Sequence, residues 1–210
     1  MKHSRMKALT KSPAMLIPLV CLALSASARQ APESSGSAQV VDRLETMLVE
    51  HMKAGDSMSF EARFKRLRPL VEDIMAVDRM GRFLFGRDWP AFEPEQRDRF
   101  TDAFLDLSAA TYANQFDRFN GERFDPIELQ QQGEDRAVVR RQLTTGSGSK
   151  IAFDYLLTHA ESGWRIVTII TDGVSDLAMK RSQYSRILEN DGFDAVIDHI
   201  REATDSQRGD

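Results

Sequence analysis

Cysteine is almost missing from this chain. Its 210 residues include one, Cys21. That excludes a disulfide framework and the cysteine-rich zinc sites. Val20 precedes Cys21 where a lipid-attachment cysteine would need a small residue, so no lipid anchor is read. Histidine is scarce too. Beyond the first 28 residues only His51, His159 and His199 occur, and none stands at a metal-ligand spacing such as HxxxH. No metal or other cofactor is expected. An excess of positive charge is also absent. Four of the 28 basic residues and none of the 32 acidic ones lie in residues 1–28, so the remainder carries a net charge of −8. That argues against nucleic acid as the main partner and against permanent residence on an anionic membrane. There is no internal repeat.

What is present begins with a leader. Lys2, Arg5, Lys7 and Lys11 precede the apolar stretch AMLIPLVCLALSASA, which runs from Ala14 to Ala28. The stretch is shorter than the roughly 18 apolar residues of a membrane span, and Pro18 interrupts it. It closes on Ala26-Ser27-Ala28, a small-x-small pattern. Residues 1–28 therefore read as a secretory signal peptide cleaved after Ala28. Residues 29–38, rich in Ser, Pro and Gly, read as a flexible lead-in, residues 39–204 as one domain, and residues 205–210 as a polar tail.

Within the domain, hydrophobic spacing predicts helices first. Val41, Leu44, Leu48 and Met52 share one helical face, and Phe60, Phe64, Leu67 and Val71 share another. Pro69 is expected to bend or restart that second helix. A short helix carries Met80, Phe83 and Leu84 and stops near Gly86. The longest pattern starts at Pro94, well suited to a first helical position. Phe100, Phe104, Leu107 and Thr111 form one stripe along it, and Leu105, Tyr112, Phe116 and Phe119 a second.

After Gly121 the period changes from about 3.6 to 2. Strands are expected over 124–130, 137–143, 151–158 and 164–171. Ile151, Phe153, Tyr155 and Leu157 share a face of the third. In the fourth, strict alternation sets Trp164, Ile166 and Ile170 against Val167 and Ile169. Helices resume at Ser175 and again over 193–203. Helices, a meander and helices again define an α+β domain, with helices packed on an antiparallel sheet of about four strands.

Several features suggest chemistry, and a structural reading accounts for each. GSGSK at 146–150 lacks the spacing of a phosphate loop, and a strand follows it instead of a helix, so it reads as a hairpin turn. Ser175 sits on a strand-to-helix turn but lacks the GxSxG elbow; it reads as a helix N-cap. Asp154 is the one carboxylate considered as a general base within the sheet's interior. The aromatic stripes of the long helix can close as core or leave an apolar cavity against the sheet.

Three stretches together carry a resemblance: VDRMGRFLFGRDW (77–89), PEQRDRFTDAFLDLSAATYANQF (94–116) and WRIVTIITDGVSDLAMKRSQYSRILENDGFDAVIDHI (164–200). In order and spacing they resemble the MlaC, or toluene-tolerance, family. DLAMKRSQYS is also similar to a hopanoid-associated sibling group. The resemblance implies helices on a curved sheet related to the NTF2-like cone, enclosing an apolar cavity. It implies a periplasmic, non-enzymatic phospholipid carrier that shuttles lipid between an outer-membrane lipoprotein complex and an inner-membrane ABC transporter complex, maintaining outer-membrane lipid asymmetry. Under that reading the lipid-binding candidates are Phe100, Phe104, Leu107, Tyr112 and Phe116 from the long helix. Phe153, Tyr155, Ile166 and Ile169 come from the sheet, with Val174 near its end. Lys180 and Arg181 are candidates for docking or headgroup contact. A hopanoid-like cargo, or an NTF2-like enzyme acting on a small hydrophobic substrate, are the competing expectations.

Overall fold

The computed structural model describes residues 36–209. The leader, its cleavage site and most of the lead-in lie outside the described residues. The first helix, α1, spans Gly36–Ala54 and so claims the last residues of the expected lead-in. It buries Val41, Leu44, Leu48 and Met52, the stripe that periodicity selects. Ser59 accepts a hydrogen bond from the Ala62 amide and caps α2 (Phe60–Ile74). Pro69 neither ends nor restarts this helix; α2 runs on to Ile74. After α3 (Val77–Phe85) comes α4 (Pro94–Gln115), opened by Pro94 and a capping box between Glu93 and Gln96.

Five strands form one antiparallel sheet in chain order: β1 (Arg123–Gln131), β2 (Arg136–Thr144), β3 (Lys150–Ala160), β4 (Gly163–Thr171) and β5 (Val174–Ser175). Four are the strands expected. The fifth is two residues long and follows a tight Asp172-Gly173 turn in which both residues have positive φ, 48° and 80°. This is the Asp-Gly turn favoured in two-residue hairpins, because its twist matches that of the strands. Asp172 is pinned there as its carboxylate accepts from the Ala152 amide at 2.8 Å. Residues 145–149 are the hairpin turn between β2 and β3, as expected, with Thr144 paired to Lys150.

Two irregularities re-aim side chains. The β1–β2 register slips between Pro126 and Glu128, and the β3–β4 register slips at Leu156/Leu157. In the second, Leu157 opposes Ile166 while Leu156 opposes Thr168, so Val167 is a bulge. Ile166 and Ile169 therefore share one face, with Leu157 and Tyr155 as cross-strand partners. Strict alternation placed them on opposite faces; one extra residue overturns that. The exposed flank of β4 is closed from outside the sheet, where the Ala76 amide donates to the Ile166 carbonyl at 2.9 Å.

Ser175 accepts from the Ala178 amide at 3.2 Å and caps α5 (Asp176–Gln207). Its hydroxyl is spent on the helix start, as the sequence suggests. Gly192 breaks α5 with φ 86° and ψ −179°, a conformation open to glycine. Gln183 and His199, 16 residues apart, meet at 2.7 Å across the break. A straight helix would set them roughly 24 Å apart, so the two arms fold back on each other. The second arm reaches Gln207, into the expected polar tail.

Candidate functional site

A cavity of about 430 Å³ lies between α4, the sheet and both arms of α5. Its volume falls in the range of about 300–1,000 Å³ usual for small-molecule sites. From α4 come Phe104, Leu107, Tyr112 and Phe116, all foreseen as lining residues. From the sheet come Phe153, Ile166 and Ile169, likewise foreseen. The remaining wall was not anticipated. Met75 and Met80 also line it, and Leu177, Tyr184 and Ala203 form the α5 side. The apolar period of α5 contained that signal, but the fold-back at Gly192 decides that both arms face the same space.

Some lining residues are polar by name only. Ser108 and Thr111 donate their hydroxyls to the carbonyls of Phe104 and Leu107, each at 2.8 Å. That leaves their carbon atoms for the cavity. Charge gathers at one edge. Lys180 lies 2.7 Å from each carboxylate oxygen of Asp176, and both residues line the cavity. Lys180, a candidate for docking or headgroup contact, thus lines the cavity paired with Asp176.

Four candidates lie elsewhere. Phe100 is fully buried between Phe85, Trp89 and Phe104, in the closed aromatic cluster. Tyr155 is buried behind the cavity wall, stacked on Phe153. Val174 is 55% exposed on the tight turn. Arg181 is outside the cavity, its guanidinium 5.0 Å above the ring of Phe83 on α3. Asp154 pairs across the ladder with Arg140 and Ile170, in the alternate row to Tyr155 and Phe153. It lies 3.5 Å from Arg140, on the sheet face away from the cavity, so it is not a base inside the cone.

An ionic seam behind the cavity was missed altogether. Arg141 belongs to the inward row of β2, opposite Phe153, and is 8% exposed. It meets Asp42 at 2.6 Å and Glu45 at 3.2 Å, both on α1. Burial pushes the Glu45 carboxyl up to about 7, opposed by Arg141 and by the Tyr155 hydroxyl. The second carboxyl oxygen of Glu45 is buried without a hydrogen-bond partner at normal distance, which is why burial outweighs the ion pair. His51, also on α1, is fully buried with both ring nitrogens unpartnered. Burial first, and then Arg66 and Arg63, lower it to about 4.

Helices laid over an antiparallel sheet, with a cavity between the layers lined by aromatic and aliphatic side chains together with Gln115, Thr168, Gln183 and His199, define the chain as an α+β domain with a cavity between its layers. The chain belongs to the MlaC protein family, whose model matches residues 40–202. The fold is similar to that of a phospholipid-binding protein from Ralstonia solanacearum, solved in complex with a phospholipid. The TM-score is 0.68 and the identity 18%, over 81% of this chain and 98% of that one. No curated protein matches the chain.

Proposed function

We infer that this chain is a soluble periplasmic carrier of phospholipid and performs no chemistry on it. The single observation that carries the reading is the cavity between α4, the sheet and α5, in a chain of this family. Its support from outside is the fold shared with a protein solved around a phospholipid. Acyl chains gain roughly 0.8 kcal/mol per methylene on leaving water, so a lipid cannot cross an aqueous compartment bare. Transfer from a bilayer into an apolar cavity exchanges one hydrocarbon surrounding for another, so loading and release stay near balance. The route follows from the leader and the family: residues 1–28 direct export, and the carrier exchanges lipid with an outer-membrane lipoprotein complex and an inner-membrane ABC transporter complex. Phe104, Leu107, Phe116, Phe153, Ile166 and Ile169 hold the acyl chains. The test is native and denaturing mass spectrometry of residues 29–210 secreted to the periplasm. Phospholipid retained at constant stoichiometry is the expected result. A lipid-free protein that also takes none from vesicles overturns the reading.

A further inference from the structure

Beyond residue 28, carboxylates outnumber cations, so an arginine with no carboxylate beside it stands out. Among the described residues, the guanidinium groups of Arg79, Arg87, Arg97, Arg181 and Arg186 make neither an ion pair nor a hydrogen bond. All but Arg97 belong to one corner of the molecule, formed by α3, the turn after it and the first arm of α5. The two helices meet there, and the Ser185 hydroxyl donates to the Leu84 carbonyl at 3.4 Å. The same corner exposes apolar surface. Phe83 is 39% exposed on α3, and Met179 is 56% exposed on α5. Arg79 stands one turn before Phe83 on α3, and Arg181 holds its guanidinium 5.0 Å above the Phe83 ring from α5. Met179 and Arg186, seven residues apart, share the side of α5 opposite the buried Leu177 and Tyr184. The corner adjoins the cavity, because Met80 of α3 and Leu177 and Lys180 of α5 line it from the same helices.

We propose that this corner, centred on Phe83 and Arg181, is a transient docking face for a bilayer surface that carries anionic phospholipid. The proposal rests on the carrier reading and adds to it the side of the protein that meets a membrane. Charge selects the occupant. Guanidinium forks match phosphate oxygens in pairs, and these arginines have no carboxylate to leave before they do so. An acidic protein surface would answer the charge alone. A bilayer also takes up Phe83 and Met179, since basic residues around exposed apolar side chains suit the boundary between headgroups and acyl chains. The remainder of the chain is net negative and is repelled by the same surface, so the protein approaches corner first and the contact stays weak, salt-sensitive and reversible. A carrier that must leave again needs a contact of that kind. Docked this way, the chain brings the cavity edge at Asp176 and Lys180 close to the headgroups.

The experiment floats residues 29–210 with vesicles of phosphatidylcholine alone or of phosphatidylcholine and phosphatidylglycerol in equal parts, at low and high salt, and measures the bound fraction. Association with the mixed vesicles only, lost at high salt, is the expected result. Arg79→Gln with Arg181→Gln should weaken it about twentyfold, at roughly fivefold per arginine. Phe83→Ser should weaken it about fivefold. Arg97→Gln removes the one unengaged arginine outside the corner and should leave binding within about twofold of wild type. Melting temperatures of all variants should match the wild type, because each side chain lies at the surface. Equal association with both vesicles, or binding unmoved in the arginine pair, overturns the docking face. So does absence of binding in a preparation that mass spectrometry shows to hold phospholipid, and that result leaves the carrier standing and the corner to an acidic protein surface. A lipid-free chain that still floats with the mixed vesicles, and takes no lipid from them, keeps the face and overturns the carrier.

Discussion

The two ends of α4 carry the same kind of residue and do opposite things with it. Near the start, Phe100 meets Phe85 at 5.1 Å and Trp89 at 5.3 Å, both edge-on, and no space remains. Near the end, Tyr112 and Phe116 sit 6.4 Å apart, and Phe116 reaches Phe124 at 6.3 Å across to the sheet. There the aromatic rings line a cavity instead of filling it. What differs is the partner. The first end packs against α3 and the turn around Trp89, where Gly81 leaves room for the indole: a methyl there would lie 2.5 Å from it. The second end faces the sheet, and there Leu107, Tyr112, Phe116, Phe153 and Ile169 border the cavity. Aromatic content therefore says nothing about enclosure; the surface opposite decides it.

Removing one ring at each end breaks the comparison most directly. Phe100→Ala should cost about 3–5 kcal/mol, because a dense cluster is left with a hole. Phe116→Ala should cost clearly less, since part of its surface already faces open space. Urea unfolding of both variants measures the difference, and equal costs would mean that the second end is packed core.

The seam between α1 and β2 gives the next effect, and it depends on pH in two directions. Burial raises the Glu45 carboxyl to about 7 in the folded chain, against its ordinary 4.5. Its contribution is intact below 4.5 and is lost as pH rises through 7, by up to about 3 kcal/mol. His51 titrates at about 4 when folded, against 6.5. Its contribution is intact above 6.5 and is lost as pH falls through 4, by a similar amount. Stability curves from pH 4 to 8 should therefore flatten on the alkaline side in Glu45→Gln and on the acid side in His51→Leu. A variant curve parallel to the wild type would remove that group from the account.

Filling the open end sharpens the contrast without a large stability change. Thr111→Trp places an indole in the cavity and should lower retained phospholipid by about tenfold. The melting temperature should stay near the wild-type value. Undiminished lipid in the folded variant would place the cargo elsewhere. The smallest effect belongs to the cap where sheet passes into α5: Ser175→Ala should cost about 1 kcal/mol by thermal unfolding and leave lipid content unchanged.

Much of this molecule was legible in one dimension. Strand and helix periods located β1 to β4 and all five helices, and capping chemistry located the helix start at Ser175, because these signals are local and each element's neighbours in sequence suffice to produce them. Seven of the ten proposed lining residues do face the cavity. Phe100, Tyr155 and Val174 do not, for three separate reasons: a neighbouring cluster absorbs the first, the wall of the cavity covers the second, and a tight turn exposes the third. Tyr184 and Ala203 were passed over because the fold-back at Gly192 brings their arms to one space, and a helical period carries no record of the angle between two arms. Arg141 escaped because an arginine on an alternating strand reads as solvent-facing until α1 brings Asp42 and Glu45 against it.

The amino-acid order by itself determined where the chain bends, caps, pairs and turns, since those choices are settled within a few residues by periodicity, steric limits and hydrogen bonding. Tertiary structure alone decided which aromatic rings close on one another and which leave space. That outcome depends on contacts between residues far apart in the chain: the bulge at Val167 brings Ile169 to the face of Ile166, the break at Gly192 folds the two arms of α5 together, and α1 sets Asp42 and Glu45 against Arg141 of β2.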